Sequence, residues 1–143
     1  MDFSFVIYFL GIKITTSFLY NLLYGNPLKT NCSILQNLKE LEKKGTKFPH
    51  PVGIVIAPEV QIGKNCTILQ NVTIGNGKRF NESSYPIIGD NVSILTGAVV
   101  VGGIKIGDNA VIAANSVVRS DVEKNTMVAG APAKFVKTLN VGD

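Results

Sequence analysis

The stretch from Ile56 to Glu123 decides the fold, because it divides into blocks of six residues. The blocks read IAPEVQ, IGKNCT, ILQNVT and IGNGKR, then, after an interruption, IGDNVS, ILTGAV, VVGGIK, IGDNAV, IAANSV and VRSDVE. The first residue of every block is aliphatic: Ile56, Ile62, Ile68, Ile74, Ile88, Ile94, Val100, Ile106, Ile112 and Val118. The fifth is small or aliphatic except for Lys78, which falls where the register breaks. This pattern is an internal repeat of period six.

A period of six favours short strands over a helix. Six residues advance an α-helix by about 600°, so the aliphatic positions would rotate around its surface from block to block. Three short strands joined by corners can instead close a triangle, and the next turn stacks about 4.8 Å higher as parallel strands. The repeat therefore predicts a left-handed parallel β-helix with its aliphatic residues inside and Gly63, Gly75, Gly89 and Gly107 at the corners. An ordinary β-sandwich needs no fixed six-residue count.

The remaining sequence predicts an all-β core with a short helical N-terminal segment and one protruding loop. We divide the chain into an apolar or helical segment (1–46), the β-helix domain (47–136) and a tail (137–143). The polar stretch 76–86 lengthens the spacing between Ile74 and Ile88, so we expect it to protrude. Ser33 to Lys44 predicts a helix that begins with a capping box formed by Ser33 and Gln36 and ends at Gly45.

Residues 1–24 are strongly apolar. Lys13, Asn21 and a Thr-Thr-Ser cluster interrupt the run, so it is a poor membrane span. It also lacks the basic start and cleavage site of a secretory signal. We expect an amphipathic helix that packs on the β-helix or on a neighbouring subunit, with peripheral membrane contact as the alternative.

The charge and the cysteines narrow the class of protein. The net charge of +4 comes without arginine-rich runs, so nucleic acid is not an expected partner. Cys32 and Cys66 form no CxxC motif and predict no disulfide framework, which fits a reducing cytoplasm. Several Asn-x-Ser/Thr triplets fall in phase with the repeat, which explains them as corner asparagines: Asn65, Asn71 and Asn91.

His50 is the only histidine, and Pro49 and Pro51 restrict the backbone on both sides of it. An imidazole is suited to general-base catalysis near neutral pH; a structural histidine at a turn is the alternative. Candidates to orient the ring are Glu40, Glu42 and Glu59, none with a spacing that proves contact. A zinc enzyme on this fold would need three histidine ligands, and this chain supplies one.

The run from His50 to Val136 resembles the hexapeptide-repeat acyltransferases, and most closely the serine acetyltransferase branch. The matching motifs are HPVGIVI (50–56), ILQNVTIGN (68–76), the loop ending in Tyr85-Pro86, and VAGAPAKFV (128–136). A run of hexapeptides alone would indicate only the fold. The four motifs together indicate the family.

The resemblance implies acetyl-CoA as donor, a hydroxyl group as acceptor, no metal, and a homotrimer with active sites between subunits. The family's catalytic histidine falls on His50, and its basic residue near the nucleotide phosphate falls on Lys134. We expect CoA to lie in a groove where small side chains let its amides reach the backbone, at Thr96, Gly97, Ala98, Ala114 and Asn115.

Two residues depart from the serine acetyltransferase pattern. Pro49 replaces the Asp before the catalytic His, and Tyr85 replaces a second His in the loop. Both family positions help to hold serine. A sugar hydroxyl of a surface polysaccharide is therefore an alternative acceptor to L-serine, and Tyr85, Asn81 and Ser84 are its expected contacts. A non-catalytic β-helix that serves as a scaffold is the alternative from a different class.

Overall fold

The computed structural model of the chain describes residues 6–9, 12–15, 28, 31–77 and 84–140, and for the first two ranges it describes the backbone only. The first strands are β1 (Val6–Phe9), β2 (Ile12–Thr15) and β3 (Ser33–Ile34), followed by the helix α1 (Leu38–Lys43). The strands of the repeat are β4 (Val55–Ile56), β5 (Gln61–Ile62), β6 (Thr67–Ile68), β7 (Thr73–Gly75), β8 (Ile87–Ile88), β9 (Ser93–Ile94), β10 (Val99–Val101), β11 (Lys105–Ile106), β12 (Val111–Ile112) and β13 (Val117–Val118). The last two strands are β14 (Thr126–Ala129) and β15 (Lys134–Thr138).

From β3 onward the strands build the three faces of a left-handed parallel β-helix, which confirms the predicted fold. Face 1 contains β3, β4, β7, β10 and β13, face 2 contains β5, β8 and β11, and face 3 contains β6, β9, β12, β14 and β15. Each strand of the repeat pairs in parallel with the strand one coil away. The register keeps equivalent positions in line, as in the pair Ile68 and Ile94 on face 3.

The core is the set of positions that the repeat predicts to face inward. All ten first-position residues are buried, and Ile56, Ile74 and Ile94 are 0% exposed. The fifth positions from Val60 to Val122 are buried as well, apart from Lys78, which lies outside the described residues. Because a coil contributes only a few inward side chains, each coil buries them against the coils above and below.

At the corners after face 2 and after face 3 the sharp bend falls on the fourth position of the block, and the prediction that the second-position glycines make it is wrong there. The residues with positive φ at this position are Asn65, Asn71, Asn91, Gly97, Asn109 and Asn115. Asparagine and glycine tolerate this left-handed region better than other residues. Gly63 and Gly89 instead allow close approach, because a Cβ on either one would lie 2.4 Å or 2.3 Å from an aspartate Oδ1 of the next coil.

The asparagines also form a ladder along one corner. Asn65 Nδ2 donates to Asn91 Oδ1 at 3.4 Å, Asn91 Nδ2 to Asn109 Oδ1 at 3.1 Å, and Asn109 Nδ2 to Asn125 Oδ1 at 2.8 Å. We call this the asparagine corner. Each amide thus serves the bend in its own coil and links it to the next.

The helix α1 closes the first end of the β-helix, but it begins later than predicted. Its N-cap is Asn37, whose side chain accepts from the Lys39 amide at 3.2 Å, so the predicted cap at Ser33 is wrong. Ser33 belongs to β3, which pairs with β4 on face 1. Leu41, 2% exposed, packs on the aliphatic core.

Part of the apolar N-terminal segment is strand, so the prediction of an amphipathic helix is wrong there. β1 and β2 pair antiparallel from Val6 and Thr15 to Phe9 and Ile12. The rest of residues 1–24 lies outside the described residues. In the part of the chain that the structure describes, no helix is long and apolar enough to cross a membrane.

At the far end, β14 and β15 pair antiparallel, and β15 reaches Thr138. The predicted domain boundaries at 46 and 136 stay predictions.

Candidate active site

The turns that lead from face 3 to face 1 lie above one another and hold most of the predicted site. We call this column the His50 corner. It comprises residues 48–54, 69–72, 95–98 and 113–116, with residues 130–133 stacked on the last of these turns through hydrogen bonds to Val117. The turns that lead from face 1 to face 2 form the Tyr85 corner, which comprises, of the described residues, 57–60, 76–77, 84–86, 102–104 and 119–121.

His50 lies in the first turn of its corner with an exposed side chain. Its carbonyl accepts from the Val52 amide at 2.8 Å, which closes a tight turn between the two prolines. Within the described ranges, the imidazole makes no hydrogen bond and no ion pair. Of the predicted orienting carboxylates, Glu40 pairs with Lys44 at 3.2 Å and Glu59 lies at the Tyr85 corner.

The predicted CoA residues stack above His50. The Asn71 amide donates to the Val52 carbonyl at 2.9 Å, Gly97 to Gln70 at 3.0 Å, and Asn115 to Thr96 at 2.9 Å. These hydrogen bonds connect each turn of the column to the next, from the turn of His50 to the turn of Asn115.

The stacked residues differ in what they offer to a ligand. Ala98 is 0% exposed and its carbonyl accepts from the Thr73 amide at 3.0 Å, so its side chain belongs to the core. Ala114 is exposed and forms no hydrogen bond within the described residues. Its amide and carbonyl are therefore available.

Gln70 is a further candidate site residue, which the sequence did not single out. It lies one coil above His50, and its Oε1 is buried without a hydrogen-bond partner among the described residues. A buried acceptor without a partner costs free energy, so such atoms call for an explanation. The sequence offered one signal for Gln70, because this residue directly precedes the corner residue Asn71.

Tyr85 and Glu59 meet at the other corner. The Tyr85 ring is half-buried and packs against the aliphatic core. Partial burial is the first cause that raises the pKa of Tyr85, followed by the negative charge of Glu59 and a hydrogen-bonding interaction with that carboxylate. The phenol therefore keeps its proton near neutral pH.

The other predicted acceptor contacts lie beside Tyr85. Ser84 is exposed, and a Cβ on Gly103 of the next coil would lie 2.1 Å from Ser84 Oγ, so this serine rests directly on that glycine. Asn81 lies outside the described residues, as does the loop from 78 to 83.

Lys134 is exposed on β15, at the end of the β-helix opposite to His50. It lines a groove of about 490 Å³ together with Asp121, Glu123 and Phe135. Since the two acidic residues share the groove, they oppose the binding of a phosphate there. The assignment of Lys134 to the nucleotide phosphate stays a prediction.

No group of three His, Cys, Asp or Glu side chains is placed to hold a metal ion in the described part of the chain.

Comparison with known proteins agrees with this architecture. Residues 85–120 match the family of bacterial transferase hexapeptide repeats. A serine acetyltransferase of Staphylococcus aureus is 46% identical over 88 residues, which are 62% of this chain and 41% of the relative. The chain therefore spans less than half the length of the curated relatives it matches.

Solved structures show the same similarity. Serine acetyltransferase of Neisseria gonorrhoeae superposes with a TM-score of 0.63 at 40% identity, over 67% of this chain and 37% of that one. A serine acetyltransferase solved in complex with CoA gives a TM-score of 0.58 at 36% identity, over 64% of this chain and 37% of that one. These matches confirm the resemblance: the hexapeptide-repeat β-helix of this chain is similar to that of serine acetyltransferases.

Proposed function

We propose that this chain is an acetyl-CoA-dependent O-acetyltransferase that acts on a hydroxyl of a small acceptor, either L-serine or a sugar of a surface polysaccharide. The observation that carries the proposal is the His50 corner, where the exposed imidazole of the only histidine lies at the foot of a column of small residues. The relatives named as serine acetyltransferases, and the one solved with CoA, support the donor and the reaction type.

His50 acts as the general base. Its imidazole takes the proton of the acceptor hydroxyl while the oxygen attacks the acetyl carbonyl of the thioester. The new C–O bond forms, the C–S bond breaks, and the proton passes to the departing sulfur of CoA. No covalent enzyme intermediate is needed, because the site holds both substrates together.

The donor lies along the His50 corner. Small residues let an extended chain approach the backbone, and the free amide and carbonyl of Ala114 can pair with the amides of pantetheine. The buried Oε1 of Gln70 is a further acceptor for such an amide. Four coil steps of about 4.8 Å separate His50 from Gly130, so an elongated molecule can run about 19 Å from the base to the last turn.

The complete site lies between subunits of a homotrimer. His50 and Tyr85 occupy different corners of one chain, so a second copy with its Tyr85 corner against the His50 corner would bring base and acceptor contacts together. The two cysteines are free, which suits a cytoplasmic enzyme.

The test is acetyl transfer by the full chain. Acetyl-CoA is offered with L-serine or with glucose, galactose, N-acetylglucosamine and their UDP derivatives, and released thiol is measured. His50→Ala should lower transfer about 10²- to 10⁴-fold, the range expected for loss of a positioned base. CoA binding, measured by calorimetry, should stay unchanged. Lys124→Ala is the matched control, because Lys124 is exposed at the asparagine corner.

Two outcomes would contradict the proposal. A fully active His50→Ala would remove His50 as the base. A chain that neither binds CoA nor transfers acetyl to any acceptor would favour the non-catalytic scaffold.

A further inference from the structure

Asn76 and Gly77 directly follow β7, where the chain leaves face 1 and enters the Tyr85 corner. Both residues are half-buried, and neither belongs to a helix or a strand. Among the described residues, no hydrogen bond is formed by the side-chain amide of Asn76 or by the backbone amide of Gly77. No such bond therefore has to break before these two neighbouring groups can meet.

An asparagine that precedes glycine can react with its own backbone. The Gly77 nitrogen attacks Cγ of Asn76, so that an N–Cγ bond forms and the Cγ–Nδ2 bond breaks. The proton of the Gly77 amide passes through solvent to the departing nitrogen, which leaves as ammonia. Water then opens the five-membered imide at either carbonyl and yields aspartate or isoaspartate. Glycine favours the first step because it has no Cβ to hinder the approach.

The fold protects the other described asparagines from this reaction. Asn115 precedes the small residue Ser116 and is the next candidate by the size of its neighbour. However, Asn115 has φ 56°, the Ser116 amide donates to the Ala113 carbonyl at 3.3 Å, and Ser116 is 0% exposed. At the asparagine corner, the ladder holds the side-chain amides. These residues can cyclise only after the coil opens locally.

We propose that Asn76 is a site of spontaneous deamidation through the amide of Gly77, and that the fold suppresses this reaction at the other described asparagines. The product places a carboxylate at the Tyr85 corner and lowers the net charge of the chain by one. The isoaspartate form also adds one carbon to the backbone where the chain enters the predicted loop 76–86. This modification requires only water and does not depend on the proposed acetyltransferase activity.

Mass spectrometry of the full chain, aged at mildly alkaline pH below its melting temperature, tests the site. The tryptic peptide 65–78 contains Asn65, Asn71 and Asn76, so the three can be compared within one peptide. A gain of about 1 Da should appear at Asn76 at least about 10-fold faster than at the other two. Fragmentation that distinguishes isoaspartate should find both products, and aspartate alone would overturn the route through Gly77.

Ageing of the protein in urea separates the contribution of the fold from that of the sequence. Asn115, in the tryptic peptide 106–119, should react at least about 10-fold faster in the unfolded chain than in the folded one. Asn76 should react at rates within about 3-fold of each other in the two states. Equal protection of Asn76 and Asn115 by the fold, or no reaction at Asn76 in the folded chain, would overturn the proposal.

Two variants test the chemistry at the site itself. Gly77 is not one of the described glycines with positive φ, so Gly77→Ala can keep the backbone conformation. This variant should slow the reaction at Asn76 at least about 10-fold, because the new Cβ hinders the attack. Asn76→Gln cannot form the five-membered ring and should show no mass gain at this position. With the fold of Gly77→Ala verified by circular dichroism, an unchanged rate at Asn76 would contradict the attack by the Gly77 amide.

Discussion

His50 and Tyr85 lie at opposite edges of face 1, because the turn with His50 leads into this face and the turn with Tyr85 leads out of it. The distance between the edges is set by the strands of the face and cannot be shortened within a chain. If the reaction uses both residues, they therefore come from two copies of the chain, as the proposed homotrimer requires.

Light scattering should give three chains per particle. Mixed particles supply a sharper test, in which His50→Ala and Tyr85→Ala chains are combined after each has been shown to be impaired alone. If sites form between subunits, some sites in the mixture contain both native residues, and activity should partly return. A stable and fully active monomer would contradict the intersubunit site.

Ile94→Asp should destabilise the β-helix by several kcal/mol, since it places an unpaired charge in the core. Ile94 is 0% exposed. Ser93→Asp is the matched control, because Ser93 precedes it on the same strand and points outward. Urea unfolding compares the two variants, and equal stability would contradict the inward assignment of Ile94.

At the asparagine corner, we expect two substitutions of Asn109 to lower the stability of the protein by different amounts. This residue has φ 58° and forms side-chain hydrogen bonds with Asn91 and Asn125. Asn109→Gly keeps the backbone conformation and loses the bonds, whereas Asn109→Ala loses both. The alanine variant should therefore be less stable than the glycine variant by about 1 kcal/mol in thermal or urea unfolding. An alanine variant as stable as the glycine variant would show that the bend carries no strain.

Lys134→Ala tests the predicted phosphate contact. If Lys134 binds the 3′-phosphate, the variant should bind CoA more weakly while its affinity for dephospho-CoA stays the same, as measured by calorimetry. Lys137→Ala is the control on the same strand, exposed like Lys134. Equal weakening for both ligands would remove Lys134 from the phosphate site, in line with the acidic residues of its groove.

Cys66 predicts a loss of stability at alkaline pH. Burial, first of all, raises the pKa of its thiol above the ordinary value of about 9. Above that pH the unfolded chain releases the thiol proton while the folded chain retains it, so the free energy of unfolding falls as pH rises from about 9. Cys66→Ala should flatten this part of the curve, and Cys32→Ala should not. Parallel curves for the parent and Cys66→Ala would contradict the shift.

The repeat predicted the faces and the core, because a fixed period of six residues identifies every inward side chain without information on the rest of the chain. Residues 1–24 contain no such repeat. Residues 6–9 and 12–15 read as an amphipathic helix, although Val6, Ile7, Ile12 and Ile14 are β-branched and favour strands. Short apolar runs do not settle that choice by periodicity alone.

The pair of Glu59 and Tyr85 was missed, although a signal for it was present. Each lies three residues before an inward isoleucine, Ile62 and Ile88. Counting backward from the repeat, rather than forward from Ile74 through the interrupted loop, brings the two side chains to the same height. The orphaned oxygen of Gln70, by contrast, depends on packing at the corner and has no counterpart in the spacing.

The two ends of the β-helix differ from its middle, and this difference limits the addition of coils from another molecule. A parallel coil with open strand edges could receive a further coil from another molecule, as in a fibre. Here α1 takes the place of a strand at one end, and β15 reverses the strand direction at the other. At these two places an incoming parallel coil finds no matching edge, whereas β3 and β13 are the outer strands of face 1, so the two elements restrict growth of the stack without closing every face.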